Sequence, residues 1–201
     1  MSPPNLHPED AATPDCVTSA EQAAPAERSV IPRTALALEH PVGDLVLLGR
    51  QQLEDTVSAS RESPRRRIIQ PFHRTLDDAL HRMFNAIQPG SYARPHRHLD
   101  PPKAEAWIVL QGKLLFVSFF DDGEIEQAVV LSAKGEHFGV DLVPGRYHTI
   151  YALEPDTVIY EVKTGPYSAH SDKAFAPWAP LEGSAEVSEY LRDLLERAGV
   201  S

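Results

Sequence analysis

The chain has almost no sulfur chemistry and no long apolar segment. Its 201 residues include a single cysteine, Cys16, so no disulfide can form within the chain, and an unpaired thiol fits a reducing compartment. No run approaches the roughly 18 apolar residues that a membrane span requires. No basic segment followed by an apolar run opens the sequence, as it would in a signal peptide. These absences predict a cytoplasmic protein without a membrane partner.

Basic residues are also scarce. The chain has 19 Lys and Arg against 29 Asp and Glu, which gives a net charge of -10 with histidine neutral. Proteins that bind nucleic acid usually carry a basic face. The charge balance therefore predicts no nucleic-acid partner, but it does not exclude a small anionic ligand, because local charge decides that.

Length and composition suit one globular domain with tails, since 42% of the residues are apolar and 24% are charged. Residues 1–33 are rich in proline, alanine and acidic side chains, and we predict a flexible N-terminal arm. Residues 34–82 are predicted to form a strand and helix segment packed on the main domain. It contains short extended pieces, a helix over 49–62 and a second short helix over 75–82.

From Met83 to Thr164, short apolar runs alternate with Gly, Pro and Asp turns, and no helical pattern intervenes. We predict that residues 83–183 form the main domain, which ends in a C-terminal loop. Asp121, Asp122 and Gly123 form a hairpin signal. Strands are predicted over the runs Met83–Gln88, Tyr92–His98, Ala106–Gln111, Leu114–Phe120, Ile125–Leu131, Gly139–Val143, His148–Leu153 and Thr157–Lys163. Such short, closely spaced strands are typical of an all-β sandwich or barrel.

Residues 184–201 contain the last predicted element, an amphipathic helix over 184–198. Ser184 is the predicted N-cap and Gly199 the stop signal. Such a helix most often packs on its own domain, and we expect that here rather than pairing with a second subunit.

The stretch from Gly90 to Gly112 carries the clearest chemical signal. His96 and His98 are two residues apart, so on a strand both side chains leave the same face. Glu105 follows seven residues later, and His148 lies downstream after Pro144 and Gly145. Three imidazoles and one carboxylate suit one divalent transition metal ion, namely Fe, Zn, Mn, Ni or Co.

A structural role for these histidines is the competing interpretation, because a lone histidine is usually a surface or satisfied core residue. The chain has nine histidines, and several have no metal-like context. A His-x-His pair followed by a glutamate and a further histidine is much less frequent by chance, so the pattern favours metal binding.

Two further residues are candidates for substrate binding. Tyr92 and Arg94 share the parity of His96 and His98, so an extended strand would turn all four toward one cavity. Arg94 could then pair with a carboxylate or phosphate, or it could form a salt bridge with Glu161. The residues alone leave both alternatives open.

The motif residues resemble those of a known superfamily. Gly90, His96, His98, Glu105 and Gly112 resemble the first cupin motif, although six residues separate His98 from Glu105 where the motif has three or four. The nearest match to the second cupin motif is Gly139, Pro144, Gly145 and His148, which departs from the motif in the spacing of its first three residues. Ala152 stands where the motif has an asparagine that binds no metal. This resemblance implies a cupin double-stranded β-helix, or jelly-roll barrel, with His96, His98, Glu105 and His148 as metal ligands.

A closer resemblance covers roughly residues 45 to 195. It lies in Ser63–Arg66, Asn85-Ala86, Ser91–His98, Glu161–Tyr167, Asp172-Lys173 and Phe175–Pro180, which look like the WbuC-type cupin-fold metalloproteins. That family is associated with bacterial surface-polysaccharide gene neighbourhoods, and its reaction is not settled. The resemblance implies a polysaccharide-related role and a sugar or nucleotide-sugar ligand.

Two functions follow from these observations. The first is a metal-dependent enzyme acting on a small polar molecule, either as an isomerase or epimerase with the metal as Lewis acid, or as an oxygenase. The second is a non-catalytic cupin that binds or senses a small ligand. A homodimer is expected in either case, because open jelly rolls often protect an edge strand by pairing.

Overall fold

The computed structural model describes residues 36–200, so the predicted arm lies outside the described residues. Within that range the chain forms two helices and ten strands. The elements are α1 (Arg50–Glu62), β1 (Arg67–Pro71), β2 (Leu80–Ile87), β3 (His96–Arg97), β4 (Glu105–Gln111), β5 (Lys113–Phe119), β6 (Ile125–Ser132), β7 (Gly139–Leu142), β8 (Tyr147–Ala152), β9 (Thr157–Thr164), β10 (Ala174–Phe175) and α2 (Val187–Arg197).

The strands form two five-stranded antiparallel sheets. Sheet I has the order β1-β2-β9-β4-β7 and sheet II the order β10-β3-β8-β5-β6. Their inner faces enclose an apolar core in which Ile87, Trp107 and Ile159 of sheet I meet Leu114 and Phe116 of sheet II. Strands that are not consecutive in sequence lie side by side, as in a jelly roll. The predicted fold class, an all-β jelly-roll barrel, is confirmed.

Each sheet has a helix on its outer face. Helix α1 contributes Val57 to a cluster with Phe84 and Val158 of sheet I. Helix α2 buries Leu194 against the outer face of sheet II, beside residues such as Leu115. The prediction that the C-terminal amphipathic helix packs on its own domain is therefore confirmed, and burial of an apolar stripe accounts for it.

Turn chemistry sets the connection between β5 and β6. Gly123 has a φ of +92°, which glycine adopts without strain, and Phe120 donates its N–H to the Glu124 carbonyl across the turn. The predicted hairpin at 121–123 is present. Near its end the register shifts between Ser118 and Phe119, which marks a β-bulge.

The predicted helix over 75–82 is wrong. Thr75 Oγ1 donates to Asp78 Oδ1 at 2.6 Å, and Arg74 N–H donates to Asp78 Oδ2 at 3.0 Å, so these side chains stabilise a local turn instead of capping a helix. Strand β2 begins directly afterwards at Leu80. Pairing with two neighbouring strands overrides the short helical signal, which is worth little over two turns.

One strand prediction needs correction, and two strands were missed. The expected strand over Tyr92–His98 is reduced to His96–Arg97, because residues 88–95 run as irregular chain. Strand β1 was missed, since the arginines preceding it obscure a short apolar run, and it pairs along its whole length with β2. Strand β10 was missed because its two residues pair only with β3.

Candidate metal centre

The structure brings the three predicted histidines together. His96 on β3 is the direct register partner of His148 on β8, and residues that face each other in this way share one side of the sheet. His98 follows two residues after His96. Nitrogen atoms from all three rings lie within 4.8 Å of one another, so the cluster could hold a metal ion.

Each ring is oriented by a backbone carbonyl. His96 Nδ1 lies 2.9 Å from the Arg94 oxygen, His148 Nδ1 lies 3.0 Å from the Arg146 oxygen, and His98 Nδ1 contacts the oxygen of Asp172. A carbonyl oxygen only accepts, so each Nδ1 must carry the proton. A neutral imidazole protonated there has its lone pair on Nε2. This is the orientation that outer contacts impose on metal-binding histidines.

Glu105 lies against two of these lone pairs. Its Oε1 is 2.9 Å from His98 Nε2, and its Oε2 is 3.0 Å from His148 Nε2. Lys163 balances its charge, with Nζ 3.6 Å from Oε1. Two lone pairs and an ionised carboxylate at this distance repel each other unless a cation lies among them.

A divalent metal ion fits this arrangement. His98 Nε2 and Glu105 Oε2 are buried and have no hydrogen-bond partner among the described residues, which is costly in the absence of a cation. Burial holds the pKa of His96 well below its ordinary value, so its imidazole is neutral and able to coordinate. A metal held there would supply Lewis-acid chemistry, polarising a carbonyl or lowering the pKa of a bound water.

A cluster of buried charged side chains lies next to the candidate metal centre. Asp172 accepts from Lys103 Nζ at 2.8 Å through Oδ1, and from Lys163 and Lys173 at 3.2 and 3.0 Å through Oδ2. Asp172, Lys103 and Lys163 are buried. Burial raises the pKa of Asp172, yet the neighbouring lysines, Lys163 first, hold it far below its ordinary value. The same aspartate therefore carries a carboxylate bound by three amines and the carbonyl that orients His98.

Sequence reasoning missed this cluster. The loop after β9 brings Asp172 to His98 across 74 residues of chain, and no local pattern signals such a contact. Strand alternation was the available signal, because alternate residues of a strand face the same side. In the structure Lys163 is the register partner of Glu105, so both side chains face the inside of the barrel.

The side chains of Tyr92 and Arg94 do not join the three histidines. Their parity with the histidines fails because the extended strand does not reach back to residue 92. The Tyr92 hydroxyl and the Arg94 guanidinium donate to backbone carbonyls of residues 176–180 at 2.8 to 3.1 Å, and neither side chain pairs with Glu161. These contacts attach the C-terminal segment to the barrel, and substrate binding by the two residues stays a prediction.

A cavity of about 570 Å³ opens between the edge strands β6 and β7. Two of its lining residues place it beside the metal centre: Ser118 is the register partner of His148, and Leu142 is the register partner of Glu105. Its lining mixes core residues such as Phe116 with charged side chains, among them Glu126 and Arg146. The volume lies within the range of small-molecule sites in proteins.

A family model matches less than half of this chain. Residues 48–131 match a family described as "Domain of unknown function (DUF6016)". No curated protein matches the chain. Within the described residues, no helix is long and apolar enough to cross a membrane.

Three solved structures resemble this chain only distantly. The capsular polysaccharide assembling protein CapF from Staphylococcus aureus is 22% identical over 49% of this chain and 27% of its own, with a TM-score of 0.42. The Cnp3 cupin domain of Schizosaccharomyces pombe is 12% identical over 49% and 64%, with a TM-score of 0.38. The L-ribose isomerase of Cellulomonas parahominis is 14% identical over 56% and 70%, with a TM-score of 0.43. This chain thus spans about a quarter of CapF, and likenesses this weak say nothing of activity.

Proposed function

We propose that this chain is a metal-binding cupin that acts on a small polar molecule. The observation that supports it is the set of three histidines whose Nδ1 atoms all face backbone carbonyls, so that their Nε2 atoms are left for a cation beside Glu105. We assign His96, His98, Glu105 and His148 as the ligands of one divalent transition metal ion, which is Fe, Zn, Mn, Ni or Co.

The cavity between β6 and β7 supports a small polar ligand. It adjoins the metal centre and combines an apolar floor with charged side chains, as ligand sites do. A sugar or nucleotide-sugar in surface-polysaccharide metabolism is the class suggested by the resemblance to WbuC-type cupins. Isomerisation, epimerisation or oxygenation are the reactions we propose for it.

The alternative is a non-catalytic protein that binds or senses such a ligand. Its support is the buried charge cluster, in which Lys103, Lys163 and Asp172 satisfy one another. Groups paired so closely stabilise a site without being free to move protons, as a general acid or base must.

Turnover separates the two functions. The full chain, loaded in turn with Fe, Mn, Zn, Ni or Co, would be incubated with free sugars and nucleotide-sugars, and the products followed by NMR. Conversion by the loaded protein, and none by the chelator-treated protein, would establish an enzyme. Saturable binding that perturbs the metal without any conversion would establish the alternative.

Three further assignments remain proposals. We infer a homodimer, because edge strands such as β6 end each sheet and are often protected by pairing. We also infer a cytoplasmic location. The domain boundaries at residues 33, 82 and 183 are likewise inferred from sequence alone. Light scattering of the purified chain would give the mass in solution. A monomeric mass at micromolar concentration would contradict the inferred dimer.

A further inference from the structure

The bulge between β5 and β6 presents a carboxylate to the cavity. Ser118 pairs with Gln127 and Phe119 pairs with Ile125, so Glu126 is the extra residue without a register partner on β5. Bulges re-aim the side chain at this position and are frequent next to active sites. Here the Glu126 side chain turns toward Ser118, whose own register partner on the other side is the metal-site residue His148.

Glu126 forms the centre of a row of polar side chains. Ser118 Oγ donates to its Oε2 at 3.2 Å, and Arg146 forms an ion pair with its Oε1. Ser118 is buried, while Glu126 and Arg146 are 24% and 48% exposed, so this ion pair stays within reach of a molecule in the cavity. Arg146 also supplies the carbonyl that orients His148. The row therefore runs from the metal centre out into the cavity.

The chemistry of this row favours hydroxyl groups over phosphate. An ionised carboxylate accepts hydrogen bonds from two hydroxyls, and a guanidinium next to it donates to their oxygens. The guanidinium of Arg146 is already neutralised by Glu126, and the other acidic residue of the lining, Asp141, adds negative charge. A phosphate monoester carries about two negative charges at neutral pH. It would meet two carboxylates and an arginine already paired with one of them, and His137 is the one other lining residue that could carry a positive charge.

We propose that Ser118, Glu126 and Arg146 make the cavity specific for a neutral polyhydroxy compound, such as an unmodified sugar, and exclude its phosphorylated counterpart. This inference rests on the proposed function and narrows its ligand class.

Calorimetric titration of the metal-loaded full chain tests it, with D-mannose, D-ribose and D-fructose as probes, each paired with its monophosphate. We expect at least one free sugar to bind with a Kd at least about tenfold lower than that of its monophosphate, the scale of one charge-assisted hydrogen bond. Glu126→Gln should weaken binding of the free sugar by about tenfold. The same change should strengthen binding of the monophosphate, because Arg146 is then released to pair with it.

The control is Glu54→Gln, which removes a charge from the exposed face of α1, away from the cavity, and should change neither Kd. Ser118→Ala serves as a second variant should Glu126→Gln fail to fold, and it should lower the preference for the free sugar. Circular dichroism and metal content establish that each variant is intact.

Three outcomes overturn the inference: no sugar among the three binds more tightly than its monophosphate, the preference is unchanged in the variants, or none of the probes binds. Metal content is read separately. A chain that holds its metal but shows one of these outcomes keeps the proposed metal centre and loses only the ligand class, whereas a chain that takes up no metal loses the proposed function itself.

Discussion

Lys163 Nζ lies 3.6 Å from Glu105 Oε1, across the pairing of β9 with β4, and this contact joins the metal centre to the buried charge cluster. Burial lowers the pKa of Lys163, but the carboxylates of Glu161, Glu105 and Asp172 raise it further, so the amine is charged. Its charge balances Glu105 on one side and Asp172 on the other. The cluster thus belongs to the architecture of the site.

Removing one amine from this cluster should be costly. Lys103→Met leaves Asp172 with less compensation in a buried position, since the Lys103–Asp172 pair is 1% and 2% exposed. Breaking a buried pair costs about 3 kcal/mol or more, and we expect a loss of that order in the free energy of unfolding measured by urea denaturation.

The matched control is Lys113→Met, which breaks a pair with Glu154 whose side chains are 49% and 46% exposed. Exposed pairs contribute about 1 kcal/mol or less. Equal losses in the two variants would show that burial does not set the strength of the Asp172 contacts.

Glu182 predicts a pH-dependent contribution to stability. It pairs with Arg65 at 2.7 Å and Arg67 at 2.8 Å, which connects the C-terminal segment to β1. Burial raises the pKa of Glu182, but the two arginines outweigh it and lower the pKa below its ordinary value of 4.5. The stabilisation is therefore present above pH 4.5 and is lost as pH falls through the lowered pKa.

Glu182→Gln measures this contribution. The wild type should be more stable than the variant by about 1 kcal/mol at pH 7, a value discounted for partial exposure of the carboxylate. The difference should vanish in denaturation curves recorded well below pH 4. A difference that persists or grows in acid would contradict the sign of the pKa shift.

The position of Gly112 requires a glycine for two reasons: its backbone has a positive φ, and there is no room for a Cβ atom. It joins β4 to β5 with a φ of +77°, and a Cβ at this position would clash with Thr157 Oγ1 and lie 2.9 Å from Thr157 Cα. Gly112→Ala should therefore cost about 3 kcal/mol or more, since a positive φ alone costs about 1 kcal/mol and the clash adds to it.

Gly183 separates the two effects, because its φ is +85° and a Cβ there meets nothing within 4 Å. Gly183→Ala should cost about 1 kcal/mol. Thermal denaturation of both variants provides the comparison, and similar losses would mean that the close approach to Thr157 relaxes freely.

Metal removal should weaken the fold, because an ion that binds only the native chain stabilises it. Chelator treatment should lower the Tm of the wild type. His96→Ala should lose the metal and unfold at the Tm of the stripped wild type, whereas His170→Ala, at an exposed position, should retain both metal and Tm. Equal metal content in His96→Ala and the wild type would remove His96 from the site.

Much of the barrel and the imidazoles of the site can be predicted from the sequence, because local residue patterns determine them. Strand alternation predicted β4 to β9 within a few residues, and the His-x-His spacing placed His96 and His98 together. The helix expected over 75–82 failed because the Thr75 and Asp78 side chains form a turn. The contacts of Asp172 with His98 and Lys103 depend on tertiary packing alone, so no local pattern reveals them.

Anomalous diffraction from crystals of the full chain, recorded on both sides of the Fe, Mn, Zn, Ni and Co absorption edges, tests the central claim most directly. The account predicts one strong anomalous peak, from a metal ion coordinated by the Nε2 atoms of His96, His98 and His148 and by the Glu105 carboxylate. A well-ordered barrel without a peak at that position, or with the metal bound elsewhere, would contradict it.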